Sequence, residues 1–238
     1  MSYFALSERG LRAINEDSYC AERIGDCYVF GVADGLGGHT CGEVASRIAI
    51  DCLKNAMKSC GGDIKNVLRN AVFDADEQIL TQSEQSPEKR WMATTLIAAV
   101  VDDNLNCVVV NVGDSRGHII TNNNIRTTKD HSVVNELVDS GEIAPEDAWQ
   151  HPLSNVLIQA LGDPESVIKP DFYETNLLDT FLLLSSDGLH DYLKKERIRE
   201  IVFANGENGD KSCRELVERA LCAGSDDNIT VVLVHGMG

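Results

Sequence analysis

The chain has 238 residues, 43% of them hydrophobic and 25% charged, with a formal net charge of −17. That length and apolar content suit one folded domain over residues 1–238, able to bury a sizeable core without disulfide staples. The acidic balance argues against nucleic acid or an anionic membrane surface as the primary partner.

In chain order, the first predicted strands are Ser18–Ile24 and Cys27–Ala33, joined by the hairpin signal Gly25-Asp26. A glycine-rich loop, Gly35-Leu36-Gly37-Gly38-His39, follows Asp34. Val44, Ile48, Cys52, Leu53 and Met57 recur at helical spacing, and Gly61-Gly62 ends that pattern. Ile64, Leu68, Ala71, Ala75 and Ile79 repeat likewise, up to a break at Gln82–Pro87. Strands are then expected at Leu96–Val101, Cys107–Val112, Gly117–Thr121 and Ile125–Thr128, with polar turns between them. Residues His131–Asn155 read as a short helix plus loops, an excursion from the sheet. Further strands are expected at Val156–Ala160, Val167–Glu174, Thr180–Ser185 and Asn228–His235, and helices near Lys194–Ala204 and Cys213–Ala223. Strand groups separated by helix pairs, without βαβ alternation, predict an α+β sandwich: two antiparallel sheets with helices outside.

Five aspartates stand at the ends of these apolar runs. Asp34, Asp114 and Asp187 close a run, whereas Asp17 and Asp227 open one. In an antiparallel sheet the end of one strand lies beside the start of its neighbour, so all five carboxylates are expected at one edge. Asp-Gly and Gly-Asp are also ordinary turn chemistry, and for any single site that reading competes. A cluster of five does not stay ionised without cations. Carboxylate oxygens suit hard ions such as Mg²⁺ and Mn²⁺.

Seven segments occur in order: Arg12-Ala13-Ile14-Asn15-Glu16-Asp17, Asp34-Gly35-Leu36-Gly37-Gly38-His39, Ala93-Thr94-Thr95, Val112-Gly113-Asp114-Ser115-Arg116, Lys129-Asp130-His131-Ser132, Ser186-Asp187-Gly188 and Asp227-Asn228. Together they resemble the motifs of the metal-dependent PPM/PP2C serine/threonine protein phosphatases, in their compact bacterial-type form. The resemblance covers nearly the whole chain. It implies a four-layer αββα fold and hydrolysis of phosphoserine and phosphothreonine by direct water attack. It implies two Mn²⁺ or Mg²⁺ ions, with a third, weaker site. Two cations about 3.5–4 Å apart acidify a bridging water and offset phosphoryl charge.

By the same resemblance, Asp34 bridges the ions, the Gly35 carbonyl ligates one, and Asp187 and Asp227 hold the other. Glu16 and Asp17 act through bound waters or as direct ligands. Asp114 shares the third site with Asp187. Arg12 stands where the family places its phosphate-binding arginine, and a guanidinium grips two phosphate oxygens at once. His39 either protonates the leaving oxygen or hydrogen-bonds a metal-bound water. Asp130-His131-Ser132 is assigned to loop positioning. The excursion at 131–155 falls where the family carries its mobile flap, a place for substrate selection.

Two positions depart from the family pattern, Gln159 where arginine is usual and Ala93 where glycine or serine is usual; neither removes a carboxylate. His118, His151, His190 and His235 have no ligand spacing and read as structural or surface residues. Trp91 and Trp149 read as core or flap packing. The eight cysteines form no CxxC pair and are expected to be reduced thiols. Met1–Arg9 lacks a signal-peptide core, and no apolar run approaches a membrane span. The expected setting is therefore cytoplasmic: a monomer acting on phosphoproteins and opposing a Ser/Thr kinase. A catalytically silent binding module on the same fold would lack metal aspartates, which this chain keeps.

Overall fold

Every residue of Leu96–Val101 is buried, and successive side chains enter different cores. Leu96, Ala98 and Val100 pack toward helices, while Ile97, Ala99 and Val101 pack toward a second sheet. A strand covered on both faces reads as a continuous apolar run for that reason. The structure, a computed structural model, describes residues 1–36, 41–58, 62–85 and 91–236, the side chains of 149 and 150 excepted.

One sheet contains β2 (Ser18–Ile24), β3 (Cys27–Ala33), β6 (Leu96–Val101), β7 (Asn106–Val112) and β10 (Asp171–Asn176), in the order β10-β7-β6-β3-β2. The other contains β1 (Ser2–Glu8), β8 (Arg116–Ile120), β9 (Ile125–Thr127), β11 (Thr180–Ser185) and β12 (Ile229–Gly236), in the order β1-β12-β11-β8-β9. Adjacent strands are antiparallel throughout. A short ribbon pairs β4 (Gly35–Leu36) with β5 (Ala93–Thr94). Helices α1 (Gly42–Lys58) and α2 (Ile64–Gln85) cover the first sheet. Helices α5 (Lys195–Asn205) and α6 (Gly209–Cys222) cover the second. Phe30, Val32, Leu182, Leu184, Val232 and Val234 fill the space between the sheets. The expected four-layer αββα sandwich is the observed fold. The excursion contains α3 (Val133–Ser140) and a 3-10 turn at Pro145–Gln150.

Several elements differ from the sequence reading. β1 was not anticipated; its side chains, Tyr3 and Ala5 inward and Phe4 and Leu6 toward α6, are half-buried on both faces. Val156–Ala160 forms no strand. Its backbone instead ties down the excursion, with Ile158 N–H donating to the His131 carbonyl and an isolated bridge joining Leu157 to Ser132. The strand expected from Val167 begins only at Asp171, after Pro170, which has no N–H to give a ladder. α2 continues through Gln82 to Gln85, and α6 starts at Gly209, where the Asn208 side chain accepts from Lys211 N–H. The turn after β11 becomes a short helix, α4 (Asp187–His190). Gly37, Gly38, His39, Cys60, Gly61 and the Trp149 side chain lie outside the described residues.

Candidate metal centre

Strand register gathers the five aspartates at one end of the sandwich. Ser18 faces Ala33, so Asp17 and Asp34 are neighbours on the first sheet. Ser185 faces both Val231 and Arg116, which brings the ends carrying Asp187, Asp227 and Asp114 together on the second. Ser186 joins the sheets: its hydroxyl donates to Asp17 Oδ2 at 2.8 Å and accepts from Thr230 N–H at 2.9 Å. The Asp34 and Asp187 carboxyls lie side by side at this edge.

Crowding shows in the electrostatics. Burial, then Asp17, Asp187 and Asp114, hold the Asp34 carboxyl well above the usual carboxylate range. Burial, then Asp114, Asp191 and Asp227, do the same to Asp187. Asp17 is pushed up to about 6 by burial, against the hydrogen bonds from Thr230 and Ser186. Asp114 is pushed up to about 7 by burial and then by Asp130 and Asp191. Two unit charges 4 Å apart repel by about 4 kcal/mol at an effective dielectric of about 20, so the cluster needs protons or cations.

Thr94 and Thr95 fix Asp34. The Thr94 hydroxyl and Thr95 N–H both donate to the Asp34 carbonyl, at 2.8 and 3.0 Å, and Asp34 N–H donates to Thr95 Oγ1 at 3.0 Å. At Gly35 a Cβ would lie 2.4 Å from the Gly42 carbonyl and 2.6 Å from that of Glu16, so only glycine fits. Glu16 itself lies against Gly42 at the start of α1, where the backbone N–H stabilises its carboxylate; burial and then Glu43 raise its pKa.

The loop bearing Arg12 is anchored by Asn228. Its Nδ2 donates to the carbonyls of Arg9 and Ile14 at 2.8 and 3.0 Å, and its Oδ1 accepts from Glu16 N–H at 2.8 Å. Gly10, at φ 60°, lets the chain pass over the Asp227 carbonyl, which a Cβ would meet at 2.1 Å. Arg12 Nη2 then reaches Asp227 Oδ2 at 2.7 Å.

The donor set fits hard divalent ions. It is all oxygen, and the buried atoms Asp17 Oδ1 and Asp187 Oδ1 have no hydrogen-bond partner among the described residues. Among those residues the carboxylates line an open sheet end and do not close into a finished coordination group of three or more.

Next to Asp114 opens a cleft of about 580 Å³, bounded by Arg116, Asp130, Asp191 and Tyr192 on one side and Asn135 of the excursion on the other. Arg116 grips Asp130 with both Nε and Nη2, at 2.8 and 2.5 Å. His131 N–H donates to the Gly113 carbonyl, and its Nδ1 accepts from Gly113 N–H. Asp130 and His131 thus hold the turn that presents Asp114, in keeping with the positioning role expected of them. Sequence reasoning missed Ser186, Asn228 and Asp191 as site residues. Asp191 carried a faint signal, four residues after Asp187 on a helical turn. Ser186 and Asn228 stood inside two of the motif segments, but their roles rest on contacts between distant segments and were not assigned from sequence.

Comparison with known proteins identifies the family. The model described as protein phosphatase 2C matches residues 8–218. The serine/threonine phosphatase stp of Listeria monocytogenes serovar 1/2a is 37% identical over 210 residues, 86% of this chain and 82% of that protein. The crystal structure of serine/threonine phosphatase Stp1 from Staphylococcus aureus is 34% identical, with a TM-score of 0.92 over 99% of this chain and 95% of that one. The catalytic domain of serine threonine protein phosphatase PstP, solved in complex with two manganese ions, is 36% identical, with a TM-score of 0.84 over 98% of this chain and 96% of that one.

Proposed function

The chain belongs to the protein phosphatase 2C family and is a metal-dependent serine/threonine protein phosphatase, and from that premise we propose that its active centre is the sheet end lined by Asp17, Asp34, Asp187 and Asp227. The observation that carries this reading is the buried cluster of carboxylates with unpartnered oxygens, a few ångströms from a guanidinium. Two divalent ions bound there supply an acidified water for attack on phosphorus and offset phosphoryl charge.

Asp34 and the Gly35 carbonyl would hold one ion, and Asp34, Asp187 and Asp227 would hold the other. Glu16 and Asp17 orient waters around them, and Asp114 with Asp187 provides a third, weaker place. An all-oxygen set favours Mn²⁺ or Mg²⁺, and the two manganese ions of the PstP domain support that number. Arg12 grips the phosphate oxygens of a phosphoserine or phosphothreonine side chain. His39 protonates the leaving oxygen or hydrogen-bonds a metal-bound water.

Residues 1–238 act as one catalytic domain, a monomer in the cytoplasm that reverses the work of a Ser/Thr kinase. Free thiols at Cys20, Cys52, Cys107, Cys213 and Cys222 suit a reducing compartment. Among the described residues no helix is long and apolar enough to cross a membrane.

The test is phosphate release from a phosphothreonine peptide with Mn²⁺, with EDTA, and with Asp187→Asn. Activity that needs the ion and fails in the folded variant is the expected result. Full activity in EDTA or in Asp187→Asn would remove this site from the chemistry.

A further inference from the structure

Trp91, which reads from sequence as core or flap packing, does not pack into the core. It is 65% exposed and sits at φ 69°, the left-handed region that a bulky residue rarely adopts. Its ring stands as a ridge between two concave surfaces. One is a groove of about 410 Å³ lined by Leu36, Trp91, Ala93, Val156, Leu157 and Asp163. The other is a depression of about 290 Å³ against Leu80, Glu84 and Pro164.

The groove is continuous with the active centre. Its floor is the ribbon in which Leu36 pairs with Ala93, and the next pair along that ribbon is Gly35 with Thr94. The Asp34 carbonyl is bound by Thr94 and Thr95 of the same ribbon. Two residues of extended chain span at most about 7 Å, so Leu36 lies within side-chain reach of the metal aspartate. The opposite wall, Val156-Leu157, is the return of the excursion at 131–155, bridged to it at Ser132. Val156 is 43% exposed there, an apolar side chain facing outward beside an exposed indole. Among the described lining residues the charged ones are Asp163 and Glu84. An apolar floor with acidic flanks suits an apolar side chain next to a basic one.

We propose that this groove is a substrate subsite: it takes an apolar side chain of the phosphoprotein segment a few residues from the phosphorylated serine or threonine, with a basic neighbour facing Asp163 or Glu84. The subsite rests on the phosphatase reading. Trp91 and Val156 bind substrate there and take no part in the chemistry.

The experiment measures kcat and KM with Mn²⁺ on p-nitrophenyl phosphate and on a phosphothreonine peptide set. At each flanking position the set carries Leu-Arg or Ser-Ser. Wild-type protein is compared with Trp91→Ala and, as an independent change on the other wall, Val156→Asp. The expected result is a preference for Leu-Arg at one flanking position. Each variant reduces kcat/KM on that peptide about tenfold, through KM, the scale of losing one partly buried apolar side chain. Turnover of p-nitrophenyl phosphate and of the Ser-Ser peptide stays within about twofold. Equal losses on every substrate, or none on any, would overturn the subsite while leaving the phosphatase reading intact. So would a wild-type dimer that Trp91→Ala dissociates without changing peptide preference, because the groove would then be a contact between copies. Failure of the wild-type protein to hydrolyse even p-nitrophenyl phosphate would overturn both readings.

Discussion

Arg12 Nη2 donates to Asp227 Oδ2 at 2.7 Å, so the candidate phosphate-binding arginine is paired with a candidate metal ligand. The pair joins a loop ahead of β2 to the start of β12, and it lies at the surface, with the Arg12 side chain 54% exposed. Exposed pairs contribute about 0–1 kcal/mol to stability. The arrangement therefore matters for function more than for folding.

Replacing Arg12 by Ala is expected to lower kcat/KM on a phosphopeptide by about a hundredfold while leaving the denaturation midpoint nearly unchanged. Lys should restore little, because an ammonium cannot grip two phosphate oxygens in one plane. Steady-state kinetics and urea titration on the same preparations check both halves. A variant that loses stability and keeps activity would make Arg12 a structural residue.

Asp187→Asn separates the ion from the fold. In EDTA the variant should be more stable than wild type by about 1–3 kcal/mol, since a buried repulsive carboxylate is removed. Adding Mn²⁺ should stabilise wild type by about 2.7 kcal/mol at a hundredfold excess over Kd, and the variant much less. Differential scanning calorimetry with and without ion reads both, at about 2–4 °C per kcal/mol for a chain of this size.

The pair Arg116 and Asp130 should behave as a partly buried strut, with side chains 29% and 10% exposed. Arg116→Ala leaves Asp130 unpaired beside Asp114 and Asp191, and is expected to cost about 3 kcal/mol. The double change Arg116→Met with Asp130→Leu should recover much of that loss. Chemical denaturation of the single and double variants gives the coupling.

His118 supplies a pH test. Its ring is 1% exposed, lies 3.3 Å from Thr127 Oγ1 and 3.4 Å from Ser185 Oγ, and sits near His190 and Arg116. Burial and then Arg116 push its pKa down to about 3 from an ordinary 6.5. The unfolded chain takes up this proton as pH falls through 6.5, while the folded ring stays neutral until about 3. Its stabilising contribution is thus complete above the unfolded value and is lost progressively below it. Between pH 8 and pH 5 the loss from this ring is about 2 kcal/mol. The crowded carboxylates shift stability the other way, but they are common to wild type and His118→Gln. The expected outcome is that His118→Gln loses less stability than wild type over that interval, measured by denaturation in EDTA. An identical pH dependence in both proteins would place the His118 pKa near its ordinary value.

The chain's own order of residues determined the sandwich, most strand limits and the acidic set. Cys27–Ala33, Leu96–Val101 and Thr180–Ser185 were readable to the residue because largely buried strands form near-continuous apolar runs, and Ser18–Ile24 because the Gly25-Asp26 hairpin fixes its end. Asp17, Asp34, Asp114, Asp187 and Asp227 were readable because each marks the end of such a run. Only the tertiary structure decided how those ends are held. Asn228 anchors the Arg12 loop, Ser186 joins the two sheets, and Thr94 and Thr95 clamp Asp34. These bonds link segments up to 219 residues apart, and local periodicity carries no record of such distant partners. Exposure of Trp91 was hidden for the same reason. From sequence Trp91 reads as core or flap packing, and only the path of the chain through a left-handed turn faces it to solvent between the Asp34 ribbon and Val156.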